Sequence, residues 1–230
     1  MKLSVAIPCY ESHGRGVEFL DYQFERLKIQ TFKDFQVVLS DHSVNDDIED
    51  FCEKNIHDLN LKYVRNKIFR GSSPANTNNA IRNCDGEIIK IIFQDDFLFN
   101  KFGLEKTVNA FLDSDQWLVS GCLHTYDDCV TIIGPMTPYY NDKIYLGNNT
   151  ISSPSVLSIR NSIEKIFFDE RLDYLMDVDY YKSLYDKFGP PRILNETIIV
   201  NRDWEKQMSK KTTHEAKQRE ESIVREKYEN

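Results

Sequence analysis

Residues 87–93 constrain the chain most: Ile88, Ile89, Ile91, Ile92 and Phe93 fall within seven positions, and Gln94-Asp95-Asp96 follows at once. A run this short and this apolar reads as a strand covered on both faces, the kind found in parallel sheets between helices. The stretch before it repeats the theme. Residues 3–7 form an apolar strand stopped by Pro8. Phe19, Leu20, Phe24 and Leu27 recur at helical spacing over residues 19–29. Residues 35–39 are a second strand, 48–56 a helix and 61–64 a third strand. The turn Gly71-Ser-Ser-Pro74 starts a helix that runs to Cys84 and is broken by Asp85-Gly86.

Strand, helix, strand, helix, strand is the pattern of an α/β fold with a mostly parallel central sheet flanked by helices. Ligands of such sheets bind beyond the carboxyl ends of the strands. Asp41 and the pair Asp95-Asp96 all stand at such ends, so the topology predicts three carboxylates at one crevice.

The second half is less regular. Residues 117–123, 155–160 and 192–200 read as strands, and 177–188 as a helix closed by Gly189-Pro190-Pro191. Residues 131–149 read as loop. From Arg202 the chain is almost wholly polar, a charged surface helix or partly disordered tail. The expected division is a single domain over 1–201, in two halves (1–100 and 101–201), then a tail over 202–230.

Thirty-seven acidic against 29 basic residues give a net charge of -8, which argues against nonspecific binding to a nucleic-acid backbone. The five cysteines are odd in number and form no C-x-x-C pair, as expected of reduced thiols in a cytoplasmic protein. Residues 3–7 are too short for a signal sequence, and no apolar run reaches the length of a transmembrane helix.

Two adjacent carboxylates after an apolar strand repel one another unless a cation or hydrogen-bond donors compensate them. Mg²⁺ and Mn²⁺ take such oxygen ligands together with substrate phosphates. Taken alone, Asp95-Asp96 also suits a turn or helix cap, and Asp41 a turn.

The ordered segments SVAIPCYES, FQVVLSDHSVND and NNAIRNCDGEIIKIIFQDD resemble the nucleotide-binding half of inverting family-2 glycosyltransferases, which have the GT-A fold. A weaker echo is FFDERLDYLMDVDYYKSL, where that family carries Glu-Asp on the acceptor side. The resemblance implies transfer of a sugar, by default from a UDP-sugar, to a hydroxyl of a glycan, lipid-linked or protein acceptor, with Mn²⁺ or Mg²⁺ as cofactor. It implies that Pro8, Tyr10 and Glu11 line the nucleotide, that Asp41 binds base or ribose, and that Asn78 stands at a donor-binding position. Asp96 becomes the direct metal ligand, with Asp95 on the ribose or a metal-bound water. Asp177 becomes the general base, and His214 a further metal ligand from the C-terminal segment. The chain departs from the family at Ser40, Thr77, Gln94 and Met176. The acceptor pocket is expected within 121–160, and the charged tail could pack against a second copy.

Asp173, Asp177 and Asp179 can also be read as one solvated cluster at a helix entry. His124, Arg202, Trp204, Lys210-Lys211, Tyr139, Tyr140 and Tyr145 are weaker candidates. Two other readings compete: a non-catalytic sugar- or nucleotide-binding module on a degenerate fold, and a sugar-phosphate nucleotidyltransferase. The latter lacks its Gly-rich phosphate loop directly after the first strand, and no G-x-G-x-x-G supports a dinucleotide enzyme.

Overall fold

The apolar run at the N-terminus becomes strand β1 (Leu3–Cys9), buried at all seven positions, in a computed structural model that describes residues 1–126 and 129–229. The next strands are β2 (Phe35–Asp41), β3 (Leu61–Arg65) and β4 (Ile88–Ile91), separated by helices α1 (Gly16–Lys28), α2 (Asp47–Asn55) and α3 (Ser73–Arg82). β1 pairs in parallel with both β2 and β4, and β2 with β3. The order β3-β2-β1-β4 reverses its sense of progression at β1, which opens a crevice at the carboxyl ends of β1 and β4.

The remaining strands are β5 (Phe97–Leu98), β6 (Trp117–Thr125), β7 (Ile132–Met136), β8 (Leu157–Arg160) and β9 (Arg192–Arg202). They complete a nine-stranded sheet in which β8 inserts antiparallel between β4 and β6, and β9 runs parallel to β6. β1, β2, β3, β4, β6 and β9 therefore point one way and β5, β7 and β8 the other. The α/β class and the mostly parallel sheet agree with the sequence reading. Side chains of β1, β2, β4, β6 and β8 meet α1, α3 and α5 (Met176–Phe188) in one continuous core.

Glycine matters at two close approaches. A Cβ on Gly86 would stand 2.5 Å from the Leu3 carbonyl carbon, and one on Gly16 would stand 2.4 Å from the Tyr10 carbonyl oxygen. The first lets the β4 lead-in run against β1. The second folds the loop after β1 tightly onto the start of α1.

Three elements were not expected. β5 and α4 (Gly103–Ala110) are too short to show a period. β7 falls inside the predicted loop, because Gly134 and Pro135 interrupt its pattern and its residues are mostly exposed. It pairs antiparallel with β6. Residues 127 and 128 of the expected acceptor region lie outside the described residues. Among those described, no helix is long and apolar enough to cross a membrane. All five cysteines are free.

The polar C-terminus forms α6 (Met208–Lys211) and α7 (His214–Glu229), and α7 is docked rather than solvated all round. Val224 is fully buried and Glu220 is 1% exposed. The Glu220 carboxylate accepts from the backbone N–H groups of Asp173, Tyr174 and Leu175, at 3.1, 2.8 and 2.9 Å. Leu175 is the cap residue of α5 and supplies no capping side chain, so a helix 45 residues away does the capping. Lys227 and Tyr228 add bonds to the buried Asp179. In the Glu220→Ala variant three donors lose their acceptor, at about 1–3 kcal/mol for an unsatisfied buried group. Urea unfolding is expected to show a loss of roughly 3 kcal/mol, and wild-type stability would mean that α7 does not dock this way.

Candidate active site

The site is built on the carboxyl ends of β1, β2 and β4. Pro8 lies in register with Ser40 and Cys9 with Asp41. Beyond β1, Tyr10 and Glu11 are partly buried. Their loop is fixed by Gln94, whose amide oxygen accepts from Tyr10 N at 2.7 Å while its Nε2 donates to Ser12 Oγ at 2.6 Å. Gln94 thus replaces a carboxylate of the expected motif with a group that can both accept and donate. Asn76 fastens the strand ends from α3: its Nδ2 donates to the carbonyls of Cys9 and Ser40, and its Oδ1 accepts from Ser40 Oγ.

Asp41 is fully buried. Its Oδ1 accepts from Ser43 N at 2.8 Å, and its Oδ2 accepts from Tyr63 Oη at 2.7 Å. Arg65 lies 3.4 Å away and links onward to Asp46 and Glu49. Asp41 therefore shapes the floor of the crevice. The neighbouring Ser43 hydroxyl is buried without a protein partner.

Asp95 and Asp96 face different ways. Asp96 is 5% exposed. Its Oδ1 accepts from Arg202 N at 3.0 Å, and its Oδ2 stands 3.1 Å from the Ser153 hydroxyl. Asp95 is partly exposed, and its Oδ2 accepts from Trp204 Nε1 at 3.0 Å. Burial raises both carboxyls, and the charge of Asp95 adds to the effect on Asp96, which is pushed up to about 7. Arg202 also donates from Nε to the Asp95 carbonyl and lies over the Phe19 ring. Beside Trp204 opens a cleft of about 320 Å³, bordered by His13, Arg15, Tyr126 and Lys206 among others.

Lys90, on β4, is fully buried. Its ammonium donates to the carbonyls of Ser155 and Leu157. Burial pulls it down to about 7, against the attraction of Asp96. The signal was visible in the sequence as one lysine inside an isoleucine strand.

Asp177 sits in the first turn of α5. Its Oδ1 accepts from Val178 N and its Oδ2 from Asn149 Nδ2 at 2.7 Å. Burial raises it to about 6, a value suited to a base near neutral pH. The possible solvated cluster is not what forms: Asp179 is 1% exposed and paired with Lys227, while Asp177 faces Asn149.

Two expectations need correction. Asn78 is 1% exposed, and its amide is occupied by Phe168 N, Phe168 O and Glu170, so it ties down residues 168–170 instead of facing a donor. His214 is exposed at the start of α7. Among the described residues no three acidic, His or Cys side chains gather as a metal site, so Asp95, Asp96 and His214 are not assembled. A divalent cation fits here only with the carboxylate pair supplying one or two oxygens and a ligand's phosphates the rest. Of the pair, Asp95 is the more accessible. Sequence reasoning missed Asn76, Asn149 and Ser153, because single polar residues carry no spacing signal, and passed over Lys90, whose signal was its place inside an apolar strand.

The sequence model described as Glycosyl transferase family 2 matches residues 4–171. The GalNAc(5)-diNAcBac-PP-undecaprenol beta-1,3-glucosyltransferase of Campylobacter jejuni is 27% identical over 125 residues, 54% of this chain and 33% of that protein. Among solved structures, S. aureus TarS 1-349 in complex with UDP superposes with a TM-score of 0.72 at 21% identity, covering 97% of this chain and 65% of that one. The mannosyltransferase PcManGT from Pyrobaculum calidifontis, in complex with GDP-Man and Mn²⁺, gives 0.58 at 13% identity, covering 88% and 56%. These likenesses are to the fold. The chain spans 33% of the curated relative's length and 37% of the longer TarS chain.

The raised carboxyl of Asp96 has a consequence for stability. An unfolded Asp titrates near ~3.9, so between that pH and about 7 the folded state holds the extra proton. Stability from this group is complete below the unfolded value and is lost as pH rises through the folded one. Asp96→Asn keeps the shape and removes the titration. Its Tm is expected to match wild type near pH 4 and to exceed it by on the order of 5 °C at pH 7.5, as followed by circular dichroism. A pH-independent difference would refute the assignment.

Proposed function

The chain belongs to glycosyl transferase family 2, and on that footing we propose that it transfers a sugar from a nucleoside-diphosphate sugar to a hydroxyl, with inversion at the anomeric carbon. The observation that carries this reading is the pairing of two chemistries. A carboxylate pair lies beyond the end of β4, and a separate carboxylate tuned to about 6 stands in the first turn of α5.

The donor is a UDP-sugar bound with Mn²⁺ or Mg²⁺. UDP is favoured by the TarS complexes with UDP and UDP-GlcNAc, and the metal by the PcManGT complex. Pro8, Tyr10 and Glu11 would border the nucleotide, and Asp41 with the orphan Ser43 hydroxyl would form its nucleoside wall. Asp95, the more accessible of the pair, would hold the cation with Asp96 fixed behind it, the reverse of the roles that the resemblance implies. When bound, the metal neutralises charge on the departing diphosphate. The acceptor is a glycan, and the name of the Campylobacter relative favours a lipid-linked one. Residues 1–100 are assigned to the donor and 101–201 to the acceptor.

At the reacting centre Asp177 takes the proton from the acceptor hydroxyl as that oxygen bonds to the anomeric carbon. The bond to the diphosphate breaks, and the proton stays on the Asp177 carboxyl. One displacement with one base gives inversion. Such a base contributes about 10²–10⁴-fold.

Thermal shift with UDP and Mn²⁺ tests the donor site, because a ligand of the native state raises Tm, by about 2.7 kcal/mol of stabilisation at a hundredfold excess over Kd. Asp95→Asn is expected to abolish the metal-dependent part of the shift. Asp177→Asn should leave the shift intact and lower turnover of a UDP-sugar by about 10²–10⁴-fold. Binding without turnover by the wild type, over a broad acceptor panel, would favour the non-catalytic module. Absence of binding by any nucleoside diphosphate would remove the donor site.

A further inference from the structure

The turn at residues 149–153 joins the two carboxylate centres through side chains that the reaction above does not use. Asn149 is bound on both ends. Its Oδ1 accepts from Ile151 N and Ser152 N, at 3.0 and 2.9 Å, which closes a turn on its own side chain. Its Nδ2 donates to Asp177 Oδ2 at 2.7 Å and to Ser152 O at 3.0 Å. Ser152 holds φ at +99°, a backbone region that a residue with a Cβ occupies only when its surroundings impose it. The imposing contacts are visible. Ser152 O also accepts from Tyr181 Oη at 3.0 Å, and Ser152 Oγ accepts from Asn201 Nδ2 at 2.8 Å. Asn201 Oδ1 stands 2.9 Å from the Ser153 hydroxyl, which in turn reaches Asp96 Oδ2.

We propose that Asn149 is a positioning residue that fixes the Asp177 carboxylate for proton transfer, and that the strained turn at Ser152 registers Asp177 against Asp96 through Asn201 and Ser153. The proposal rests on the glycosyltransferase reading for its catalytic meaning, but the positioning itself is a property of the fold. An amide is suited to the task. It donates to the ionised carboxylate without carrying a charge, so it favours the base form and leaves it basic. A lysine or arginine there would depress the carboxyl and weaken the base.

The groups around Asp177 are few. On its own helix Tyr181 feels its charge, and Val178 N donates to it. From the turn come Asn149 and Ser152, and from β6 comes Cys122, whose thiol donates to Ser152 Oγ. Burial raises the Asp177 carboxyl, and the Asn149 bond opposes that rise. Loss of the bond must therefore move the carboxyl higher.

The test is a carbon-detected NMR titration of the Asp177 carboxyl in the full chain, its signal assigned by its loss in Asp177→Asn. Asn149→Ser keeps a side-chain acceptor for the turn N–H groups but cannot reach Asp177. Asn149→Asp keeps the turn and brings a second carboxylate. The expected result is an upward move of about one pH unit in the first and a larger one in the second. Ser152→Gly suits the positive φ and preserves the Ser152 carbonyl but deletes the Oγ bond to Asn201, so Asp177 should titrate as in wild type while kcat falls, and an unchanged kcat would overturn the registration to Asp96. The acid limb of kcat/KM should follow the titration, with the Kd for UDP in the presence of Mn²⁺ unchanged. Folded Asn149 variants in which Asp177 titrates as in wild type would overturn the proposal, as would a change in UDP affinity with no change at Asp177. If the wild type transfers no sugar, the enzymatic reading fails, and the titration still decides whether Asn149 positions Asp177.

Discussion

The buried Asp96 carboxylate is the joint on which the site depends. One oxygen accepts the Arg202 N–H at the end of β9, and the other meets the Ser153 hydroxyl in the turn before β8. β4, which leads to Asp96, is the last strand of the parallel half, and β9 belongs to the other half. The Asp96 contact works beside two other ties at the carboxyl end of β4, where Phe93 N donates to Ser155 Oγ and Arg202 Nε donates to the Asp95 carbonyl. A carboxylate in so little solvent is costly, and its high proton affinity records that cost. The Lys90 ammonium on β4, itself pulled down by burial, feels the charge of Asp96. Such an arrangement destabilises the free protein, and a bound cation can recover what it loses, since a ligand of the native state stabilises by linkage.

The C-terminal segment completes what the sheet begins. Trp204 covers the outer oxygen of Asp95, Lys211 reaches His13, and Arg202 lies over Phe19. Farther on, α7 caps α5 through Glu220 and pairs with Asp179 through Lys227. The same polar stretch thus secures both the first turn that carries Asp177 and the rim of the Asp95 side. A helix with few apolar residues can do this because charge-assisted bonds to buried backbone donors supply the specificity that apolar area does not.

The strands and helices from β1 to β4 were legible in the sequence because each is an apolar run of the right length between turn residues. Asp41, Asp95 and Asp96 were legible as strand-end carboxylates because topology alone brings such ends to one edge. Their division of labour was not. Which oxygen faces outward is decided by Arg202 and Trp204, more than a hundred residues away. Asn78 shows the converse. Its position in the motif suggested a donor contact, but burial against residues 168–170 consumes its amide. β7 was hidden because an exposed strand interrupted by Gly134 and Pro135 shows no alternation. His214 illustrates how little a single histidine in a polar stretch specifies.

The departures from the family pattern bear on whether the site is maintained or decayed. A decaying site leaves polar side chains buried without partners, because partners are lost one at a time. Here each departure is absorbed. Ser40 bonds to Asn76 and is bonded by Asn79, and Gln94 uses both ends of its amide. Thr77 returns its hydroxyl to the Ser73 carbonyl, and Met176 is packed in the core. Among the described residues, two of the buried polar atoms without partners lie near the strand ends: the Ser43 hydroxyl beside Asp41, and Oε1 of Gln23, whose Nε2 donates to the Asp96 carbonyl. On the proposed reading, the Ser43 hydroxyl lies where a nucleoside would supply the missing partner. Substitutions that fit their surroundings, around polar groups left open at the strand ends, favour a site retuned rather than abandoned.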